Sequence, residues 1–218
     1  VGKTWLMKNL GKSQFQNTVY INFEKEPSYS NLFEADLNVG RILDILALMS
    51  GETITEGRTL IIFDEIQEAP HALTSLKYFA EDRPGLHVIA AGSLLGVSMD
   101  RGSFPVGKVE IMSIRHLSFE EFLMVTNQAA LCKLLNKHDF ENMAVFREKF
   151  IHALRSYFLV GGMPEAVVTY IEENSNFNSV RKVQTAILNA YVQDFGKHAP
   201  AILIPRILGV WESLVSQL

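Results

Sequence analysis

Thr59-Leu60-Ile61-Ile62-Phe63-Asp64-Glu65 is a run of large apolar residues closed by two acids. A short apolar run without polar alternation fits a β-strand covered on both faces, as in a parallel sheet. The segments around it support that reading. TVYINFE (18–24) is β-branched and aromatic between polar turns, and LHVIAAGS (86–93) is a second apolar run, ending at Gly92-Ser93. KVEIMSI (108–114) alternates as a strand would. Helical spacing lies between these runs. It is seen in TWLMKNL (4–10), expected to close at Gly11, in RILDILALMS (41–50), and in a helix that Pro70 starts and Pro84-Gly85 stops. Strands alternating with helices imply a doubly wound parallel α/β sheet.

From residue 118 onward the texture is helical and no strand pattern returns. Ser118 and Glu121 have the spacing of a capping box, and Gly161-Gly162-Met163-Pro164 separates two helical runs. The expected division is an α/β core over 1–117 and a helical subdomain over 118–218. The 218 residues are 48% hydrophobic and 20% charged, a globular composition. The net charge of −4 shows no global basic field of the kind that attracts nucleic acid. Basic stretches in RSYF, RKVQ and KH are read as solvated helix faces. No apolar run reaches the roughly 18 residues of a membrane span. A single cysteine, Cys132, leaves no internal disulfide and reads as a structural thiol, which points to the cytoplasm. The six histidines show no metal-ligand spacing with one another or with the cysteine.

The acids at 64 and 65 gain meaning from the opening residues, Val1-Gly2-Lys3-Thr4. These match the end of the phosphate-binding pattern G-x-x-x-x-G-K-[ST], and a helix follows them. Two other Gly-Lys pairs fail the test. Leu6 stands where Gly11-Lys12-Ser13 needs its first glycine, and Gly102 to Lys108 has the spacing but continues into Val109 and a strand pattern. In such a loop the backbone N–H groups and the helix dipole hold phosphate. Lys3 would reach the β- and γ-phosphates, and Thr4 would ligate Mg²⁺. A buried strand ending in Asp64 supplies the second, acidic element that holds the metal, and Glu65 stands where a base for an attacking water would be. Ser93, at the tip of the next strand, is a candidate contact to the γ-phosphate. Glu24 is expected at a surface strand end, and Trp5 packed against the sheet.

VGKT, VYINFE, TLIIFDEIQEAP, SLKYFAE, VIAAGSLLG, FPVGKVE, LSFEEFL and YFLVGGMPEAV, in that order, resemble a prokaryotic AAA+-like P-loop ATPase family. The resemblance spans nearly the whole chain. It implies a three-layer P-loop sheet of the additional-strand class, followed by a helical lid or winged-helix-like module. It also implies a downstream restriction-endonuclease-like domain, and a strand and G-x-R-Q-like residues before VGKT, so the chain is expected to be a piece of a longer protein. The implied activity is binding and hydrolysis of ATP with Mg²⁺, driving a conformational change in a partner or in that further domain. Carried over by position, Gly2, Lys3, Thr4 and Ser93 contact nucleotide, Thr4 and Asp64 hold metal, and Lys3 and Glu65 act in catalysis. Many relatives have an arginine finger where Lys108 stands. Lysine lacks the bidentate fork, so Arg101 and Arg115 stay open beside it. A non-enzymatic nucleotide switch or scaffold recognising protein or DNA is the alternative, and a small-molecule kinase a third. No membrane is implicated, and self-association is left open.

Overall fold

The computed structural model describes residues 2–92 and 107–217. The chain forms two compact units, one over Gly2–Ile114 and one from Arg115 onward.

The first unit is built on the run that opens the sequence analysis. β1 (Asn17–Asn22), β2 (Thr59–Asp64) and β3 (His87–Ala91) form a parallel sheet in the order β1-β2-β3. All six residues of β2 are buried, because it is paired on both edges and covered on both faces. Side chains alternate across a strand, so β2 divides its residues between two layers. Ile61 and Phe63 join Val19, Ile21, Ile42, Leu46, Leu76 and Phe79 under α2 (Val39–Ser50) and α3 (Pro70–Asp82). Leu60 and Ile62 join Met7 of α1 (Lys3–Gln14) on the opposite face. The result is three layers, with α1 on one side of the sheet and α2 and α3 on the other. Phe63 sits at the centre of the larger layer, its ring 5.7 Å from those of Phe23 and Phe33 and 5.9 Å from that of Phe79.

Local signals explain the helix ends. Asn38 caps α2 by accepting the Arg41 N–H at 3.0 Å, Gly51 closes it in the left-handed conformation, and Pro70 opens α3. Three expectations are corrected. Gly11 does not end α1, which runs on to Gln14. It is a buried contact instead, where an added Cβ would lie 2.3 Å from the Thr18 hydroxyl oxygen, so the helix can cross β1 closely only with glycine there. KVEIMSI is not a strand. Residues 108–114 pair with none of the described strands, and Ile111, Met112 and Ile114 are exposed. Alternation is only half of what a strand needs, because its N–H and C=O groups must also find a ladder. Trp5 is 67% exposed and does not pack on the sheet, since Met7 occupies that face of α1. Glu24 is exposed beyond the end of β1, as expected.

The second unit is helical: α4 (Phe119–Val125), α5 (Ala129–Asn136), α6 (Phe140–Val145), α7 (Arg147–Val160), α8 (Pro164–Glu172), α9 (Phe177–His198) and α10 (Ile204–Ser213). The capping box forms, with the Glu121 N–H donating to Ser118 Oγ at 3.2 Å and the Ser118 N–H to Glu121 Oε2 at 2.7 Å. The Leu117 N–H donates to the Gly162 carbonyl, and the Tyr157 hydroxyl to the Leu117 carbonyl, both at 2.7 Å. The Gly161-to-Pro164 break is thereby fastened to the entry of α4. Phe122, Val160, Ala166, Val167 and Tyr170 form one buried cluster, and Leu123, Leu131, Cys132 and Ala153 another. Cys132 is therefore a buried packing residue. Among the described residues no helix is long and apolar enough to cross a membrane.

The aromatic cluster carries a testable consequence. Replacing a buried phenylalanine leaves a cavity and removes its transfer energy. Phe63→Ala is expected to lower the unfolding free energy in urea by about 3–5 kcal/mol, whereas Ile111→Ala, at an exposed position, should change it by less than about 0.5 kcal/mol.

Candidate functional site

The site follows from strand parity. Leu60 and Ile62 face α1, and Asp64 lies two residues further on the same face. β2 and α1 are joined there by side chains: the Thr4 hydroxyl donates to Asp64 Oδ2 at 2.8 Å. Gly2 stands before α1 with φ 82°, a left-handed turn that suits glycine. No side chain caps this helix, and the first N–H groups of any helix lack intrahelical acceptors. The turn and the helix dipole therefore present partial positive charge beside the Asp64 carboxylate. The Lys3 ammonium donates to the Gly92 carbonyl at 2.6 Å, just past the end of β3.

Asp64 is 1% exposed, so its charge must be compensated within the fold. Besides Thr4, the Tyr20 hydroxyl donates to Oδ2 at 2.8 Å, and the Glu65 N–H to Oδ1 at 3.2 Å. Tyr20 is itself held in place. Asn22 Nδ2 donates to its hydroxyl at 3.4 Å, and the Lys8 ammonium lies 3.7 Å from its ring centroid, a cation–π contact. Burial raises the Tyr20 phenol above its ordinary value of 10.0. The Asn22 hydrogen bond opposes that rise, and the bond to Asp64 and its negative charge add to it.

Glu65 leaves β2 in the left-handed conformation, φ 53° and ψ 44°, and precedes a 3-10 turn, Ile66–Glu68. A non-glycine residue there is strained. Its carboxylate accepts a hydrogen bond from Gln67 Nε2 at 2.7 Å.

The structure thus brings Gly2, Lys3, Thr4, Asp64 and Glu65 to one end of the sheet. Ser93 and Arg101 lie outside the described residues. Lys108 pairs with Glu81 at 3.4 Å, near the C-terminal end of α3, about 16 Å of helix away from Pro70. It stands apart from the Asp64 end of the sheet. Arg115 is exposed and belongs to the second unit. Sequence reasoning missed Tyr20 and Gln67. Tyr20 pairs with Ile62 in the β1–β2 register and shares the face of Asp64, a relation that only the strand pairing reveals.

The donors fit magnesium. A buried carboxylate and a hydroxyl 2.8 Å apart are hard oxygen ligands, and Mg²⁺ is commonly held by one or two carboxylates together with substrate phosphates. No group of three or more His, Cys, Asp or Glu side chains that could hold a metal occurs among the described residues.

A helix that begins at Lys3 behind the left-handed turn of Gly2, beside a buried acid at a parallel strand's end, suits an ATPase-type nucleotide-binding domain. A family model described as an AAA domain matches residues 1–123, more than half of the chain. The chain belongs to this AAA domain family, and ATP binding comes with the membership. Residues 151–218 match a domain of unknown function, a description that names no fold or activity. The restriction-endonuclease-like domain therefore rests on the sequence resemblance alone. No curated protein and no solved structure matches the chain.

The Tyr20–Asp64 contact can be checked in solution. Tyrosinate absorbance, wild type minus Tyr20→Phe, is expected to show a midpoint above 10.0. In an Asp64→Asn background the midpoint should fall toward 10.0 yet stay above it, because burial remains. A raised phenol contributes stability below its unfolded value and loses it as pH rises through the folded one.

Proposed function

We propose that this protein binds and hydrolyses ATP with Mg²⁺, and that hydrolysis drives a conformational change in a partner or in a further domain of the same protein. One observation carries the reading: Thr4 of the VGKT segment donates to Asp64, the acid that ends the apolar strand, across 60 residues of sequence. The pairing unites the two halves of a P-loop site of the additional-strand class. The nucleotide chemistry belongs to residues 1–117, and the helical residues 118–218 form the lid or winged-helix-like part that responds.

In this mechanism the N–H groups at the start of α1 hold the phosphate oxygens. Lys3 leaves the Gly92 carbonyl and places its ammonium on the β- and γ-phosphates. Thr4 and Asp64 would hold Mg²⁺ bound with the nucleotide, which would supply neutralisation of charge on the phosphate oxygens. Tyr20 and the Glu65 N–H hold the Asp64 carboxylate in one orientation. Glu65 accepts a proton from the attacking water, or a hydrogen bond that aims it, and Ser93 contacts the γ-phosphate. Electrostatic preorganisation supplies most of the rate. ATP rather than GTP follows from the family. The cytoplasm is the expected compartment, and a protein or DNA partner the expected recipient of the motion.

The test is phosphate release from Mg-ATP by the full-length protein, with nucleotide binding measured alongside. Glu65→Gln is expected to lower turnover by about 10²–10⁴-fold while ATP binding stays. Lys3→Ala is expected to lose both. No phosphate release by the wild type, alone or with added DNA, would leave a nucleotide-binding scaffold as the better description.

A further inference from the structure

Gln67 lies beside the proposed base and has so far been given no role. Its Nε2 donates to Glu65 Oε2 at 2.7 Å, while its own carbonyl oxygen, Oε1, is buried and accepts no hydrogen bond from a described residue. The amide orientation is not arbitrary. Reversed, it would set a carbonyl oxygen against the carboxylate and bury the N–H donors away from any acceptor. A glutamine at a surface turn can satisfy both ends with water. This one gives up hydration of its carbonyl, a cost that a buried acceptor does not recover, and keeps its amide on Glu65.

The backbone makes the pair rigid. Ile66 is fully buried and anchors the turn between them. The Glu68 N–H donates to the Glu65 carbonyl at 3.0 Å, and the Ala69 N–H to the Ile66 carbonyl at 3.0 Å. Glu65 is left-handed, and its own N–H is tied to Asp64 Oδ1. Its backbone is thus fixed on one side by the metal-holding acid, and its side chain on the other by Gln67. One carboxylate oxygen is taken by the amide, and the other accepts no hydrogen bond from a described residue.

We infer, resting on the hydrolysis reading above, that Gln67 is the positioning residue of Glu65: its amide restricts the carboxylate to the orientation in which it aims the attacking water. Gln67 touches neither nucleotide nor water in this scheme. Its effect belongs to turnover, not to ATP binding, and exists only while Glu65 is a carboxylate.

Steady-state kinetics on the full-length protein with Mg-ATP test this, using Gln67→Leu, Gln67→His, Glu65→Gln and the double variant Gln67→Leu/Glu65→Gln. In Gln67→Leu, kcat is expected to fall about 10–100-fold, the scale of a misplaced reacting group, with KM and ATP affinity unchanged. Gln67→His keeps an N–H donor and should recover part of the loss, which a merely structural role would not give. The double variant should be no slower than Glu65→Gln alone, because residues acting as a unit are not additive. An unchanged or increased kcat in Gln67→Leu, beside an inactive Glu65→Gln, overturns this inference and spares the hydrolysis reading. A further loss in the double variant does the same. No turnover in the wild type, or full turnover in Glu65→Gln, overturns both.

Discussion

The first unit depends on a carboxylate that has almost no access to water. Asp64 ends a strand covered on both faces, at 1% exposure. A bare charge there would cost several kcal/mol or force the group to become neutral. The fold answers with two hydroxyls on one oxygen and a backbone N–H on the other. Those donors come from α1, from β1 and from the residue after β2. Satisfying one side chain therefore fixes where the first helix starts, which residue of the neighbouring strand stands beside it, and how the chain turns away.

Parity does the rest. The same alternation that sends Ile61 and Phe63 into the aromatic layer sends Leu60, Ile62 and Asp64 toward α1. A one-residue slip of β2 would bury Phe63 under α1 and drive the carboxylate among Phe23, Phe33 and Phe79. The hydrophobic core and the polar site thus select the same register, and neither could be altered without the other.

Much of this was legible in the residues. A four-residue apolar run ending in acids predicted a central parallel strand, and VGKT with a following helix predicted what would meet it. The parts that were not legible share a cause, since each depends on a neighbour that composition does not name. Gly11 looks like a helix stop until Thr18 is known to press against it. KVEIMSI looks like a strand until a ladder is sought and none of the described strands provides one. Trp5 was expected inside because it is large and apolar, but one face of a helix can reach the sheet, and Met7 holds it. Tyr20 reads as an ordinary strand aromatic, and its use appears only when β1 is set in register with β2. Gln67 was hidden by the expectation of a helix beginning at Pro70. The tight turn before that helix is what folds it back onto Glu65.

The setting of α1 has a mechanical consequence. At its start the helix is tied to β2 through Thr4 and to the end of β3 through Lys3, and two turns later Gly11 lies hard against β1. The helix is thus pinned near both ends across the whole width of the three-stranded sheet. A beam fastened at one end can swing when pulled at the other. One fastened at both must pass the load into its supports. A pull on the Lys3 ammonium is therefore felt as a change in how β3 is braced against β1 and β2, with little tilt of the helix itself. The glycine that looked like the end of a helix is the far rivet of that beam.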